Sequence, residues 1–220
     1  MAMRYRYYFI EALVMTMLLF SVGFMFGLGV EKARNNYLTA SYLSVEKEIA
    51  DLGSELDVSN LGKYNCSQLV SRNFELGNEI YNQAKIFQEY EDAAIFTKDQ
   101  LSIEHRKFDK LRTSFWVNSI RIKSMCGSDV FNTVIYLYNY PATTTEEIAK
   151  QRVMERITSD LKDLPGKGTI LIPIAKNLGI KELDEQTSKY PGSNESVLLV
   201  VNEKIVFSYD DADKVMKTLG

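Results

Sequence analysis

The chain predicts an α/β C-terminal domain preceded by an all-α hairpin and coiled-coil stalk, with one N-terminal transmembrane helix before both. Three observations predict this. Ala12 to Val30 is a run of nineteen uncharged residues. The stretch from Glu31 to Gly127 holds no proline, since all four prolines lie beyond residue 140. From Val130 onward, β-branched apolar runs alternate with helical periodicity. The expected boundaries are 1–30 for the membrane anchor, 31–127 for the stalk and hairpin, and 128–220 for the α/β domain.

The apolar run approaches the roughly 20 residues that a helix needs to cross a bilayer, and Tyr7, Tyr8 and Phe9 stand where a headgroup belt is expected. The rival is a cleavable secretory signal, but its apolar stretch is shorter and ends in small residues, which Gly27-Leu28-Gly29-Val30-Glu31 matches poorly. The expectation is an uncleaved anchor in the cell membrane. Arg4 and Arg6 precede the run, while Lys32 and Arg34, offset by Glu31, follow it, which tips the N-terminus slightly to the inside. Gly23 and Gly27 form a G-x-x-x-G pair through which two such helices pack, against incidental small residues. Glu11 reads as a snorkelling interfacial residue.

Three helices are expected in the middle. Leu38, Tyr42, Val45, Ile49, Leu52 and Leu56 alternate steps of four and three, a coiled-coil seam that stops near Gly53 to Gly62. A second helix from Cys66 to Glu91 carries Leu69, Val70, Phe74, Ile80, Tyr81, Ala84 and Phe87. A third, capped by Thr97 and Gln100, carries Leu101, Phe108, Leu111, Phe115, Ile122 and Met125. The short link from Asp92 to Phe96 makes the last two an antiparallel hairpin. Whether the seam dimerises or joins that hairpin is open at this point. Cys66 starts one arm and Cys126 ends the other, so the hairpin brings both to its open end, where a disulfide is geometrically allowed. Such a bond implies an oxidising compartment, hence a C-terminal domain on the extracytoplasmic side. Two buried free thiols are the alternative.

In the α/β part, Val130 to Tyr138 reads as a buried strand ending at Asn139-Tyr140-Pro141. Thr144 and Glu147 make a capping box for a helix with Ala149, Val153, Ile157, Leu161 and Leu164 on one face, ended by Pro165-Gly166. A strand from Thr169 to Ala175, a short helical stretch from Lys176 to Tyr190, a strand from Ser196 to Val201, the turn Asn202-Glu203-Lys204 and a strand from Ile205 to Ser208 follow. Asp210 caps a last helix with Ala212, Val215, Met216 and Leu219 on one face.

This order, with Ile135-Tyr136-Leu137-Tyr138 and Val200-Val201-Asn202-Glu203-Lys204-Ile205-Val206, resembles the thioredoxin-like superfamily, and loosely its uncharacterised membrane-anchored archaeal members, over about two-fifths of the chain. The resemblance implies a Cys-x-x-Cys pair where the first strand meets its helix, whose positive end stabilises a thiolate. Tyr140, Pro141, Ala142, Thr143 and Thr144 hold that place, and none forms a thiolate. The family's cis-proline before the third strand falls on Ser196, with Pro191 five residues too early. What remains is a degenerate active-site loop without inherited redox chemistry.

One histidine and two separated cysteines do not furnish a four-ligand metal centre, so no metal and no cofactor is expected. His105 reads as a surface or half-buried helix residue, and no nucleophile triad can be assembled around it. Gly166-Lys167-Gly168-Thr169 precedes a strand where a phosphate loop would open a helix, so it reads as a solvated turn. The acidic runs at 91–92, 184–185 and 210–211 read as solvated helix ends. A net charge of -3 offers no field for nucleic acid. Asn65-Cys66-Ser67 and Asn194-Glu195-Ser196 match the glycan-acceptor pattern. The expectation is a non-enzymatic, bilayer-anchored module that binds a protein partner. The alternatives are a thiol-disulfide oxidoreductase, or an accessory to one, using Cys66 and Cys126, and a structural coiled-coil oligomer, a homodimer in its simplest form, built by the Gly23/Gly27 face and the Leu38 to Leu56 seam.

Overall fold

The structure, a computed structural model, describes residues 2–59, 65–93, 96–162, 168–209 and 214. Its elements are α1 (Ala2–Ser59), α2 (Cys66–Asp92), α3 (Lys98–Cys126), β1 (Asn132–Tyr138), α4 (Thr145–Lys162), β2 (Thr169–Ala175), α5 (Lys181–Thr187), β3 (Val197–Val201) and β4 (Ile205–Ser208). The chain divides into two units, Met1–Leu43 and Ser44–Gly220, and α1 contributes residues to both. The hairpin and the sheet, which the sequence divides at 127/128, lie in one unit. The final helix expected from Asp210 and the stop at Pro165-Gly166 fall outside the described residues.

The first unit is helical. Its apolar stretch reaches a mean hydropathy of 2.2 and none of it is buried. Leu19, Phe20, Met25 and Phe26 are each more than 70% exposed. One helix among the described residues is thus long and apolar enough to cross a membrane.

In the second unit α2 and α3 form the antiparallel hairpin. The Thr97 hydroxyl accepts from Gln100 N and the Gln100 side chain accepts from Thr97 N, so the expected capping box starts α3. Pairs along the hairpin keep one register: Phe87 meets His105 edge-on, Asn73 bonds Ser119, and Cys66 is joined to Cys126. That disulfide has a Cα–Cα distance of 5.5 Å. Gly77 in mid-α2 lets Phe115 of α3 approach closely, since a methyl group there would stand 3.2 Å from the ring. The open question about the seam is answered for its C-terminal half. Val45, Ile49, Leu52 and Leu56 are buried in this unit. Asn118 of α3 donates to the Ile49 carbonyl at 2.9 Å, and Glu55 and Asp57 pair with Arg72 and Arg121. These residues form the third member of the helical layer.

The sheet has the order β2-β1-β3-β4. β1 and β2 are parallel and joined through α4, whereas β3 pairs antiparallel with both β1 and β4. Alternation along the strands gives the sheet two apolar faces. Val134, Tyr136, Leu199, Val201 and Phe207 pack with Met154 and Leu161 of α4. The opposite face, with Ile135, Leu137, Ile172 and Val200, is buried on the side of α3. Two expectations need correction here. In α4, Val153 is 40% exposed, and the buried face is Met154, Thr158 and Leu161 instead of the Ala149–Val153 line. The helix is rotated because Gln151 donates to the Asn139 carbonyl at 2.7 Å, fixing that side inward. The stretch after β2 is helical only from Lys181, since Lys176 N extends the strand pairing to the Tyr138 carbonyl and Gly179 adopts φ 67°.

The β3–β4 turn places Asn202 and Glu203 at positive φ, which costs free energy outside glycine. Side-chain bonds offset it. Asn202 Oδ1 accepts from Thr133 N at 3.0 Å, and Glu203 accepts from Thr133 Oγ1 at 2.5 Å and from Lys123 of α3 at 2.8 Å. Lys123 is buried and donates also to Thr133 and Asn202.

Two stability predictions follow from these ties. Replacing both cysteines by alanine should lower the unfolding free energy by about 2–4 kcal/mol in urea titrations, because the bond closes a loop of 60 residues. Lys123→Met should cost about 2–4 kcal/mol in the same measurement by leaving a half-buried carboxylate without its cation. A loss under about 0.5 kcal/mol would show that the turn holds itself.

Candidate functional site

The parallel pair β1–β2 ends at Tyr138 and Ala175, and loops leave both strands at the same edge. Carboxyl ends of parallel strands are where α/β sheets hold ligands, because loops and helix N-termini converge there. The loop Asn139 to Thr144 leaves β1 with a cis Tyr140–Pro141 peptide. Asn177 holds it from the β2 side: Tyr140 N–H donates to Asn177 Oδ1 at 2.8 Å, and Asn177 Nδ2 donates to the Tyr140 carbonyl at 2.9 Å. Ser196 lies one residue before Val197, the partner of Tyr138. The structure therefore places Tyr140 to Thr144 and Ser196 at the same end of β1 and β3. Pro141, Thr143 and Thr144 are exposed, and Ala142 and Ser196 are half-buried.

At the N-terminus of α4, where the resemblance implies a thiolate, stands a carboxylate. Glu147 accepts from Thr143 N at 2.9 Å and from Asn139 Nδ2 at 2.8 Å. Its own N–H donates to Thr144 Oγ1 at 3.1 Å. The Thr143 amide, then Asn139, hold this carboxyl below the usual range. The helix end that would stabilise an incoming anion is already occupied by one from the chain itself. Both cysteines are in the disulfide, so no free thiol exists.

The Tyr140 ring turns inward. It stacks on His105 at 3.5 Å between ring centres, and its hydroxyl donates to Glu91 at 2.9 Å. His105 Nε2 lies 3.2 Å from the other Glu91 oxygen. One expectation changes: His105 is buried, at only 7% exposed, and Tyr140 stacked on it is half-buried. Burial pushes the Tyr140 phenol upward, with Glu91 adding to the effect, so it does not ionise near neutrality.

One turn further along α3, Arg112 pairs with Asp109 at 2.9 Å, and both are buried. Burial pushes Asp109 up to about 6 despite the guanidinium beside it. His105, Asp109 and Arg112 escape a reading for chemistry, yet their spacing is a signal. They recur at four and three residues along the flank of the Phe108–Leu111–Phe115 stripe, where polar residues are buried in pairs or not at all. Lys176 donates to the carbonyls of Ser193 and Glu195, and burial lowers its pKa. Among the described residues no cluster could hold a metal ion. In the first unit, a methyl group at Gly23 or Gly27 would meet nothing within 4 Å, so that face is open.

No family model, curated protein or solved structure matches the chain.

The Asp109 geometry sets a pH dependence. Its folded pKa is raised, so the folded state holds this proton more tightly than the unfolded one. The stability it contributes is complete below about pH 4 and is lost as pH rises through about 6. Burial lowers His105 against the pull of Glu91, and its contribution runs the other way, falling as pH drops. Subtracting an Asp109→Asn profile, which keeps an acceptor for Arg112, isolates the first term. The wild-type advantage should shrink by roughly 2–3 kcal/mol between pH 4 and 7. A flat difference across that window would sink this assignment.

Proposed function

We propose that the chain is a single-pass membrane protein that presents a thioredoxin-like body, stripped of redox chemistry, outside the cytosol as a protein-interaction module. The parallel β1–β2 pair joined through α4 and the β3–β4 hairpin support this reading. One observation carries the non-enzymatic reading: Glu147 fills the α4 N-terminus, and the only two cysteines are consumed in a bond that fastens the helical hairpin. The disulfide also supports an oxidising compartment. The exposed stretch Pro141 to Thr144, flanked by Ser196 and β3, is the surface on which an extended segment of a partner would lie.

A thiol-disulfide exchange role would use Cys66 and Cys126 as its attacking and resolving pair, and both are half-buried and joined across the open end of the hairpin. Membrane pull-down with the full chain tests the proposal. Thr143→Arg with Ser196→Arg should reduce partner recovery at least tenfold while stability shifts by no more than about 0.5 kcal/mol. Tyr140 is unsuited to that test because its hydroxyl and ring hold the hairpin. Unchanged recovery would move the partner surface elsewhere. Insulin-disulfide reduction by the wild-type chain that Cys66→Ala with Cys126→Ala abolishes would defeat the non-enzymatic reading.

A further inference from the structure

Two glycan-acceptor patterns survive the functional reading unused, and the structure treats them differently. Asn65 is the N-cap of α2: its Oδ1 accepts from Gln68 N at 3.3 Å, and its neighbour Cys66 is locked into the disulfide. An acceptor there is held at a helix start, one residue from a covalent crosslink. Asn194 lies in the turn-rich loop between α5 and β3 and is exposed. That loop is held from behind. Lys176 Nζ donates to the carbonyl of Ser193 at 2.6 Å and to that of Glu195, and Glu195 N–H closes a turn onto the Gly192 carbonyl at 2.9 Å. With the carbonyls on either side anchored inward, Asn194 stands at the outer tip. Val197, not proline, follows Ser196, so the acceptor pattern is intact.

We infer that Asn194, and not Asn65, is a site of N-linked glycosylation, an inference that rests on the extracytoplasmic reading above. The co-reactant is a lipid-linked oligosaccharide. A bond forms between Asn194 Nδ2 and the anomeric carbon of the sugar. The bond from that carbon to the lipid pyrophosphate oxygen breaks, and the pyrophosphate leaves with the electron pair. The amide gives up one of its two protons to the transferase base, and nothing is oxidised or reduced. The exposed loop accommodates the sugar without moving a buried group.

The experiment is synthesis of the full chain in sealed endoplasmic-reticulum microsomes, which supply transferase and donor, with endoglycosidase digestion and, in parallel, protease protection. The wild type should gain one endoglycosidase-sensitive step. Asn194→Gln and Ser196→Ala should each remove it, and Asn65→Gln and Ser196→Thr should keep it. A step that survives Asn194→Gln, or is lost in Asn65→Gln, overturns the assignment. An unmodified chain whose second unit is protected from protease overturns the glycan site alone and leaves the extracytoplasmic reading standing. An unmodified chain whose second unit is digested overturns both.

Discussion

Helix α3 is enclosed by α2, by the end of α1 and by the sheet, and a polar group buried without a partner costs about 1–3 kcal/mol. Four of its buried polar side chains are answered from neighbouring elements, while Asp109 and Arg112 answer each other within the helix. His105 is answered by Glu91 of α2, Asn118 by the Ile49 carbonyl of α1, Ser119 by Asn73 of α2, and Lys123 by Thr133, Asn202 and Glu203 of the sheet. Trp116, fully buried at the centre, directs its indole N–H toward the same Glu203 at 3.4 Å. These bonds are directional where apolar burial is not, so they fix the rotation and register of α3 relative to every neighbour. Apolar contact alone would bring the hairpin to the sheet. The polar contacts determine where it stops.

The same constraint explains the state of the sheet's carboxyl edge. Once the hairpin turn lies over the β1–α4 loop, Tyr140 and His105 share a water-poor space, and each needs an acceptor. Glu91 serves both through its two oxygens. At the α4 terminus, the Thr144 hydroxyl accepts from Glu147 N, one of the unpaired N–H groups that a helix start exposes, and the Glu147 carboxylate accepts from Thr143 N just before the helix. Tyr140, His105 and Glu91 answer one another along this edge, as do Thr143, Asn139 and Glu147.

Much of this architecture was legible because it is written in local rules. The hairpin follows from a long stretch without proline, a capping box at Thr97 and cysteines at corresponding ends. The strands follow from runs such as Val197 to Val201, which no helix face would use. The misread parts depend on tertiary partners. Val153 and Met154 are equally apolar neighbours, and only the bond from Gln151 to the Asn139 carbonyl determines which of them faces the sheet. His105 is indistinguishable from a surface residue until Glu91, fourteen positions away, is placed beside it. The burial of Tyr140 is hidden for the same reason: nothing within the α/β segment announces that His105 and Glu91, from earlier in the chain, will lie against it.

The distribution of exposed apolar side chains separates the two units and bears on where each belongs. From Tyr8 to Val30 large apolar groups are exposed almost without interruption, whereas among the described residues of Ser44–Gly220 they are the scattered Tyr81, Ile103, Val117, Ile148 and Val153. Scattered residues of that kind are ordinary on a water-soluble surface, but a continuous band is not, at about 25 cal/mol for each Å² left in water. The second unit has satisfied its apolar surface internally, through the seam of α1, the hairpin and the two faces of the sheet. The apolar stretch of the first unit has no such cover, since none of it is buried, and its helix is long and apolar enough to cross a bilayer.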